Sequence, residues 1–419
     1  MILTHSTTLE PRIYDIPDGI ALAADYITLD GNGATIISSR RNRVAVTILG
    51  HRTVSIKNLN ISGYVHGIHA KDCQDLTIEN CRVTHTAEVP HNTVFLDIFR
   101  PPEDSYGGGI LLWNVADSRI ENNDLSHQMC GLLTYHCRNL TVRNNLANYC
   151  SGFGFHLYGT NHSLFEDNYA DFCCRWERRE AASGERLGHM GADAAGFLIV
   201  YGSSHNTFRR NFTRLGGDGF FLSGLTSHYE AMPCNDNLFE ENDASWSPNI
   251  AFEATFSQGN VFRNNYADNC NYGFWLGFSS ENALENNRIW RNRQAGIAAE
   301  NGVGMQVREN DFRENGHGIL LWSKRIPGFD APVPENDTSR DWVIEKNRFA
   351  GNRKAIRIAA NQDHGLRDYS LEGKCPPPRN HVIYNNQITD NRVGIELVGA
   401  EKTHLDGNQM TGNVEADIL

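Results

Sequence analysis

Thirteen asparagines set a beat along this chain: Asn58, Asn80, Asn123, Asn145, Asn168, Asn211, Asn242, Asn265, Asn287, Asn310, Asn347, Asn386 and Asn408. Wherever nothing is inserted they fall 22 or 23 residues apart. A period of that length belongs to a solenoid, in which each repeat packs on its neighbours and builds one continuous core. Aligned on the asparagine, coils such as "CGLLTYHCRNLTVRNNLANYCS" and "YGFWLGFSSENALENNRIWRNR" share one form. A Gly-led strand is followed by a polar turn, a second alternating strand, the asparagine and a third short strand. Alternation with period two specifies strands, not helices.

Three short parallel strands per turn define an all-β fold, a right-handed parallel β-helix of about 14 coils rising about 4.8 Å each. Residues 1–23 read as an N-terminal cap and 24–419 as coils of a single domain. The asparagine suits a sharp turn because it tolerates the left-handed conformation, and stacked copies can bond along the axis as a ladder. These asparagines therefore read as scaffold.

Composition narrows the partners. The net charge of −12 disfavours nucleic acid and anionic membranes. No stretch approaches the roughly 18 apolar residues of a membrane span, and the first residues show no signal peptide. The expected location is cytoplasmic, or secreted or periplasmic if a leader has been removed. Cys130, Cys150, Cys173 and Cys270 recur after the asparagine strand and read as reduced, stacked structural thiols, with no zinc spacing. No metal and no cofactor is expected.

The beat breaks at 86–107, 174–193, 225–236, 324–338 and 362–379. The first two insertions precede a Gly-led strand and the last three follow one, so loops rise from both borders of one sheet. Loops that interrupt a regular scaffold are the usual carriers of function. On that sheet the second and fourth residues after the Gly position point outward. They include His69, Lys71, Trp113, Tyr135, His156, Tyr158, Phe221, Glu253, Trp275, Ala298, Glu300 and Trp322. Such an apolar row should not face bare water. It predicts either a sugar-binding groove, with rings stacked on aromatic faces, or a face buried in a homo-oligomer such as a trimer.

Cleaving a glycosidic bond needs a proton donor and a second carboxylate. Candidate catalytic residues are Asp218, which opens the strand of "GGDGFFLSG", Glu253 and His156, with Glu177, Asp193 and Glu230 from the neighbouring loops. Candidate substrate-binding residues are Trp113, Tyr135, Tyr158, Phe221 and Trp275 on the sheet, with Trp176, Arg178 and His189 in the second insertion.

The coil pattern over roughly residues 20–419 resembles the right-handed parallel β-helix superfamily. That superfamily includes pectate lyases, polygalacturonases, alginate epimerases, inulin fructotransferases and the carbohydrate-binding/sugar-hydrolase repeat proteins. The coil "GGDGFFLSGLTSHYE" is similar to one in inulin fructotransferases, which implies Asp218 and Glu230 as the acidic pair. The clustered aspartates of pectate lyases, the tandem aspartates and Gly-His-Gly site of polygalacturonases and the Asp-Pro-His-Asp signature of alginate epimerases are absent. The resemblance implies a carbohydrate-active enzyme cleaving or intramolecularly transferring a glycosidic bond in an oligo- or polysaccharide. Two alternatives stay open. One is a lyase or C5-epimerase on a uronic-acid glycan, with His156 or Tyr158 moving a proton and Arg175 or Arg178 neutralising the carboxylate. The other is a non-catalytic glycan-binding or structural β-helix.

Overall fold

The computed structural model describes residues 1–90, 93, 95–180, 183–184, 186–191, 194–329, 331–360, 362–363 and 375–419. They form two compact units, residues 1–218 and 219–419. Each is a right-handed parallel β-helix. In the first unit the leading sheet runs through the strands Val44–Leu49, His66–Gln74, Gly108–Ala116, Cys130–Tyr135, Phe153–Tyr158 and Ala195–Val200, all parallel. It begins at Ile2–Leu3, within the segment read as a cap. In the second unit it runs through Ile250–Thr255, Tyr272–Trp275, Ala295–Glu300, His317–Trp322, Lys354–Ala359 and Val393–Val398.

The period-two pattern places one residue set inside each helix. Phe155 stacks on Phe197 at 4.6 Å in the first unit; in the second, Phe252 stacks on Phe220 at 5.1 Å and on Phe274 at 5.0 Å. Burying one such ring contributes on the order of 2 kcal/mol. The glycine that leads each coil is a packing requirement. A Cβ on Gly154 would stand 2.6 Å from the Ala170 Cβ and 2.7 Å from the Gly196 carbonyl oxygen.

The asparagine ladder forms, with one correction to where it sits. In the first unit the Asn123, Asn145 and Asn168 amides each donate to the side-chain oxygen of the next rung, at 2.9, 3.1 and 3.0 Å. The second unit repeats this from Asn242 to Asn265, Asn287 and Asn310. These side chains are buried, and the left-handed turn falls one residue earlier, at Asn122, Asn144, Asp167, Arg210, Asn264 and Asn286. Only the first two beats, Asn58 and Asn80, are left-handed themselves. The turn accepts several residue types. The inward rung demands asparagine because one amide must both donate and accept.

The insertions differ in kind. Among the described residues of 86–107 there is one 3-10 turn, Pro102–Asp104. Within the second insertion, Arg175–Glu180 and Arg186–Gly191 pair as an antiparallel hairpin. Much of 362–379 lies outside the described residues.

Candidate active site

The outward row of the first unit is not an open groove. Tyr135 is 0% exposed, His156 2% and Tyr158 6%, and Leu111, Leu133, Leu198 and Val200 are buried beside them. The chain's own first insertion covers them. Tyr106 packs edge-on against Phe153 at 6.1 Å, and its carbonyl accepts the His66 Nε2 at 2.9 Å. The Arg175 guanidinium binds the Thr93 and Pro90 carbonyls, which ties the hairpin to the same insertion. The apolar row thus finds within its own chain the cover that the sequence assigned to a ligand or a second subunit. Trp113 is half-buried under the Lys71 ammonium, 3.5 Å above its ring.

Beneath this cover lies a polar anomaly. His156 packs edge-on against Tyr135 at 5.2 Å and stacks on Phe153 at 5.6 Å. Neither ring nitrogen of His156, nor the Tyr135 hydroxyl, makes a formed hydrogen bond. Burial pulls the His156 imidazole down to about 3, against a weak opposing pull from the Ile98 backbone, which falls short of bonding geometry. Burial likewise raises the Tyr135 phenol.

Asp218, which opens its strand as expected, is buried, 2% exposed, and its backbone N–H donates to the Ala194 carbonyl at 3.0 Å. It closes the first unit, whereas Glu253 belongs to the second. Phe221 is 9% exposed, so it offers a ligand little surface. Glu230 is exposed on a tight turn, its N–H donating to the Thr226 hydroxyl at 3.1 Å. In the hairpin backbone Trp176 stands opposite Met190, Glu177 opposite His189 and Arg178 opposite Gly188; their side chains, and Asp193 altogether, lie outside the described residues.

The second unit keeps a partly open aromatic face. Tyr272 and Trp275 are half-buried and meet edge-to-face at 4.9 Å; Trp275 meets Trp322 at 5.6 Å. Ala295, Ala298 and Leu320 floor the patch. The small alanines leave the indole faces room. Half-buried Glu253 pairs in register with Trp275, which pairs with Ala298. Two residues beyond Ala298 comes Glu300, in register with Trp322.

Glu300 was not singled out from the sequence, although the outward row contains it. The residue is 5% exposed. Oε1 lies 3.0 Å from the Lys324 ammonium, while Oε2 and the nearby Trp322 Nε1 reach no hydrogen-bond partner. The carboxylate leans over Gly277, where a Cβ would stand 2.7 Å from Glu300 Cδ. Burial raises its pKa, and Lys324 only partly offsets that rise. The available signal was the pairing of a Glu with a Gly at the equivalent outward position one coil earlier.

The far end of this face is ionic. The Glu396 carboxylate binds the Lys354 ammonium at 2.6 Å and the Arg357 guanidinium. His317 is pulled down to about 4, first by burial and then by Lys354, Arg357 and Arg353.

Chemically, the second unit presents indole and phenol surfaces, a protonatable buried carboxyl with one oxygen unsatisfied, and a second carboxylate two strands away. By strand geometry the two backbones stand about 10 Å apart across the strands and about 7 Å along them.

The sequence matches the family described as right handed beta helix region over residues 26–213 and 212–326, and the chain belongs to that family. No curated protein sequence matches it. Among solved structures it is similar to the A-module of the Azotobacter vinelandii mannuronan C-5 epimerase AlgE6. The identity is 13% over 99% of this chain and 91% of that one, with a TM-score of 0.50. It is also similar to the Streptococcus pneumoniae surface adhesin PfbA, at 9% identity over 96% of this chain and 85% of that one, TM-score 0.42. The catalytic domain of a GH87 α-1,3-glucanase matches at 12% identity over 87% and 64% of the two chains, TM-score 0.47. At 13% identity the likeness to the AlgE6 module is one of fold.

Proposed function

We propose that the protein is a carbohydrate-active enzyme that binds an oligo- or polysaccharide over Tyr272 and Trp275 and acts on a glycosidic bond, with Glu300 as proton donor. The observation that carries this reading is the Glu300 carboxyl: buried, raised in pKa, unsatisfied at Oε2 and set in the same outward face as the indoles. A proton donor to a leaving oxygen must be protonated near its working pH, and burial achieves that for a carboxyl. The partly exposed rings of Tyr272 and Trp275 supply faces on which sugar rings stack. Glu253 is the second carboxylate, acting as nucleophile or as base for water. The test is a glycan panel assayed by reducing-end release. Glu300→Gln should abolish turnover while glycan binding persists, and Trp275→Ala should weaken binding. Full activity in Glu300→Gln would sink the reading.

A second reading rests on the His156–Tyr135 pair. A neutral imidazole and a phenol, buried together with their polar atoms unsatisfied, are suited to moving a proton at a carbon beside a carboxylate, as a lyase or C5-epimerase requires. Incubation of uronic-acid glycans in deuterated water separates the two. Deuterium at C5, or an unsaturated product absorbing in the ultraviolet, supports this reading, and its loss in His156→Phe places the chemistry there. Neither product across the panel would exclude it.

A further inference from the structure

Two insertions meet beside the leading sheet of the second unit. The Tyr229 ring of 225–236 packs on Phe329 of 324–338 at 5.7 Å, and Phe329 is held edge-on by Phe278 at 5.0 Å and Phe256 at 5.1 Å. A bridge between Leu225 and Ala231 closes the first insertion on itself. The Asn336 amide pins the second by donating to the carbonyls of Ser279 at 3.1 Å and Asn301 at 2.9 Å. Loops braced in this way hold their shape before a ligand arrives.

Between them lies a cleft of about 260 Å³, whose lining includes Phe256, Gln258, Ser280, Pro332, Pro334 and Glu335. At about 30 Å³ per water, that volume holds about eight or nine waters, or one sugar ring. Gln258 and Ser280 are bridged across adjacent coils. Among the described residues, neither the Gln258 side-chain amide nor the Ser280 hydroxyl has a hydrogen-bond partner. An amide and a hydroxyl together both donate and accept, as sugar hydroxyls require. The half-buried Phe256 ring, backed by Phe278 at 5.5 Å, and the two prolines supply the apolar surface against which the C–H face of a sugar packs.

Charge narrows the sugar. No cationic side chain lines the cleft among the described residues. Arg340, beside Glu335, is shared by Glu335, Asp337 and Asp341 at 3.4, 3.6 and 2.7 Å. Lys324, which lines the adjoining cavity, is held by Glu300 at 3.0 Å. An acidic sugar would lose its water here and meet no free cation.

The cleft also has a place along the coil. Trp275 belongs to the aromatic platform, the Glu300 carboxylate leans over Gly277, and Phe278 and Ser280 open the cleft. The carboxyl thus stands between platform and cleft in chain order.

We propose that this cleft is a subsite for a neutral sugar residue, that Gln258 and Ser280 determine its specificity, and that the bond acted on joins the sugar held here to the one stacked on Trp275. The position of that bond rests on the reading of Glu300 as the acid; binding in the cleft does not.

Calorimetric titration of the full chain carrying Glu300→Gln tests this, with neutral gluco-, manno-, galacto-, xylo- and fructo-tetraoses set against tetragalacturonate and tetramannuronate. At least one neutral tetraose should bind about tenfold or more tightly than either acidic one. For that ligand, adding Gln258→Leu should lower the affinity about fivefold, and adding Ser280→Phe, which fills the cleft, about tenfold or more. Gln258 is exposed, so its variant folds even if Ser280→Phe does not. The proposal is overturned if no neutral tetraose binds, if the acidic ones bind as well, or if Gln258→Leu leaves the affinity unchanged. Binding that the cleft variants weaken, with no turnover by the parent, would overturn the acid role of Glu300 and leave the subsite standing. Parent turnover that survives Ser280→Phe unchanged would do the reverse.

Discussion

The Glu300 carboxylate occupies the space that a side chain on Gly277 would fill, 2.7 Å from Cδ to the nearest position of a Cβ. Gly277→Ala should therefore displace the carboxylate from its seat beside Lys324. Overpacking of this kind costs about 1–3 kcal/mol. The expected result is a modest fall in thermal stability with a much larger loss of glycan turnover, read by scanning calorimetry and product release. Unchanged turnover would show that the seat of the carboxylate does not matter.

Glu300 also sets a pH dependence. Its folded pKa is raised above the ordinary 4.5, so between 4.5 and that raised value the folded state holds a proton that the unfolded state has lost. Stability then falls as pH rises through this window and is flat beyond it. Glu300→Gln removes the titrating group and should flatten this part of the profile, measured by urea unfolding at stepped pH. An unchanged slope would mean that the buried carboxyl is not the source.

His156 predicts the opposite slope. Its folded value is depressed to about 3, so on acidification below the ordinary 6.5 the unfolded state takes up a proton first. Stability is full above 6.5 and declines as pH falls toward 3, by about 1.4 kcal/mol per unit. His66 and His381, both held near 4 by burial, add to the same decline. His156→Phe should remove a share worth about 2–3 kcal/mol between neutral pH and pH 4.5, measured by urea midpoints at both pH values. Equal losses in parent and variant would place the acid sensitivity elsewhere.

The sequence carried the scaffold well because the scaffold repeats. Asn145 and Asn287 could be recognised as rungs since each coil restates the same demand. The direction of Tyr135 and His156 was legible from strand alternation, but their burial was not, because register says nothing about where a non-repeating insertion such as 86–107 will lie. Asp218 was legible as the residue that opens its strand, but its burial was not. Glu300 was visible only as one outward residue among many. Its role depends on Gly277 one coil earlier and on Lys324 beyond the strand end, a conjunction that no single repeat displays.

The ladder itself makes the last prediction. The Asn287 amide donates to the Asn310 side-chain oxygen and to the Phe262 carbonyl, both at 2.9 Å, and its own oxygen accepts the N–H of Asn265 at 2.9 Å and the Asn265 amide at 3.1 Å. All of these groups are buried. Asn287→Ala would take the acceptor from the buried Asn265 N–H and the amide donor from the Phe262 carbonyl, each worth about 1–3 kcal/mol, while the Asn310 oxygen keeps the Asn287 backbone N–H and the Asn265 amide keeps the Phe239 carbonyl. Asn287→Asp keeps the acceptor but loses the donor and buries a charge. Both should destabilise the second unit by several kcal/mol, the aspartate more severely above its pKa than below it. An exposed turn residue such as Asn286 should tolerate alanine far better, the cost there being its left-handed backbone, φ 53°. Thermal unfolding of the three variants at pH 4 and pH 7 checks the ordering. Similar losses for Asn286→Ala and Asn287→Ala would mean that turn geometry, not the ladder, holds the coils together.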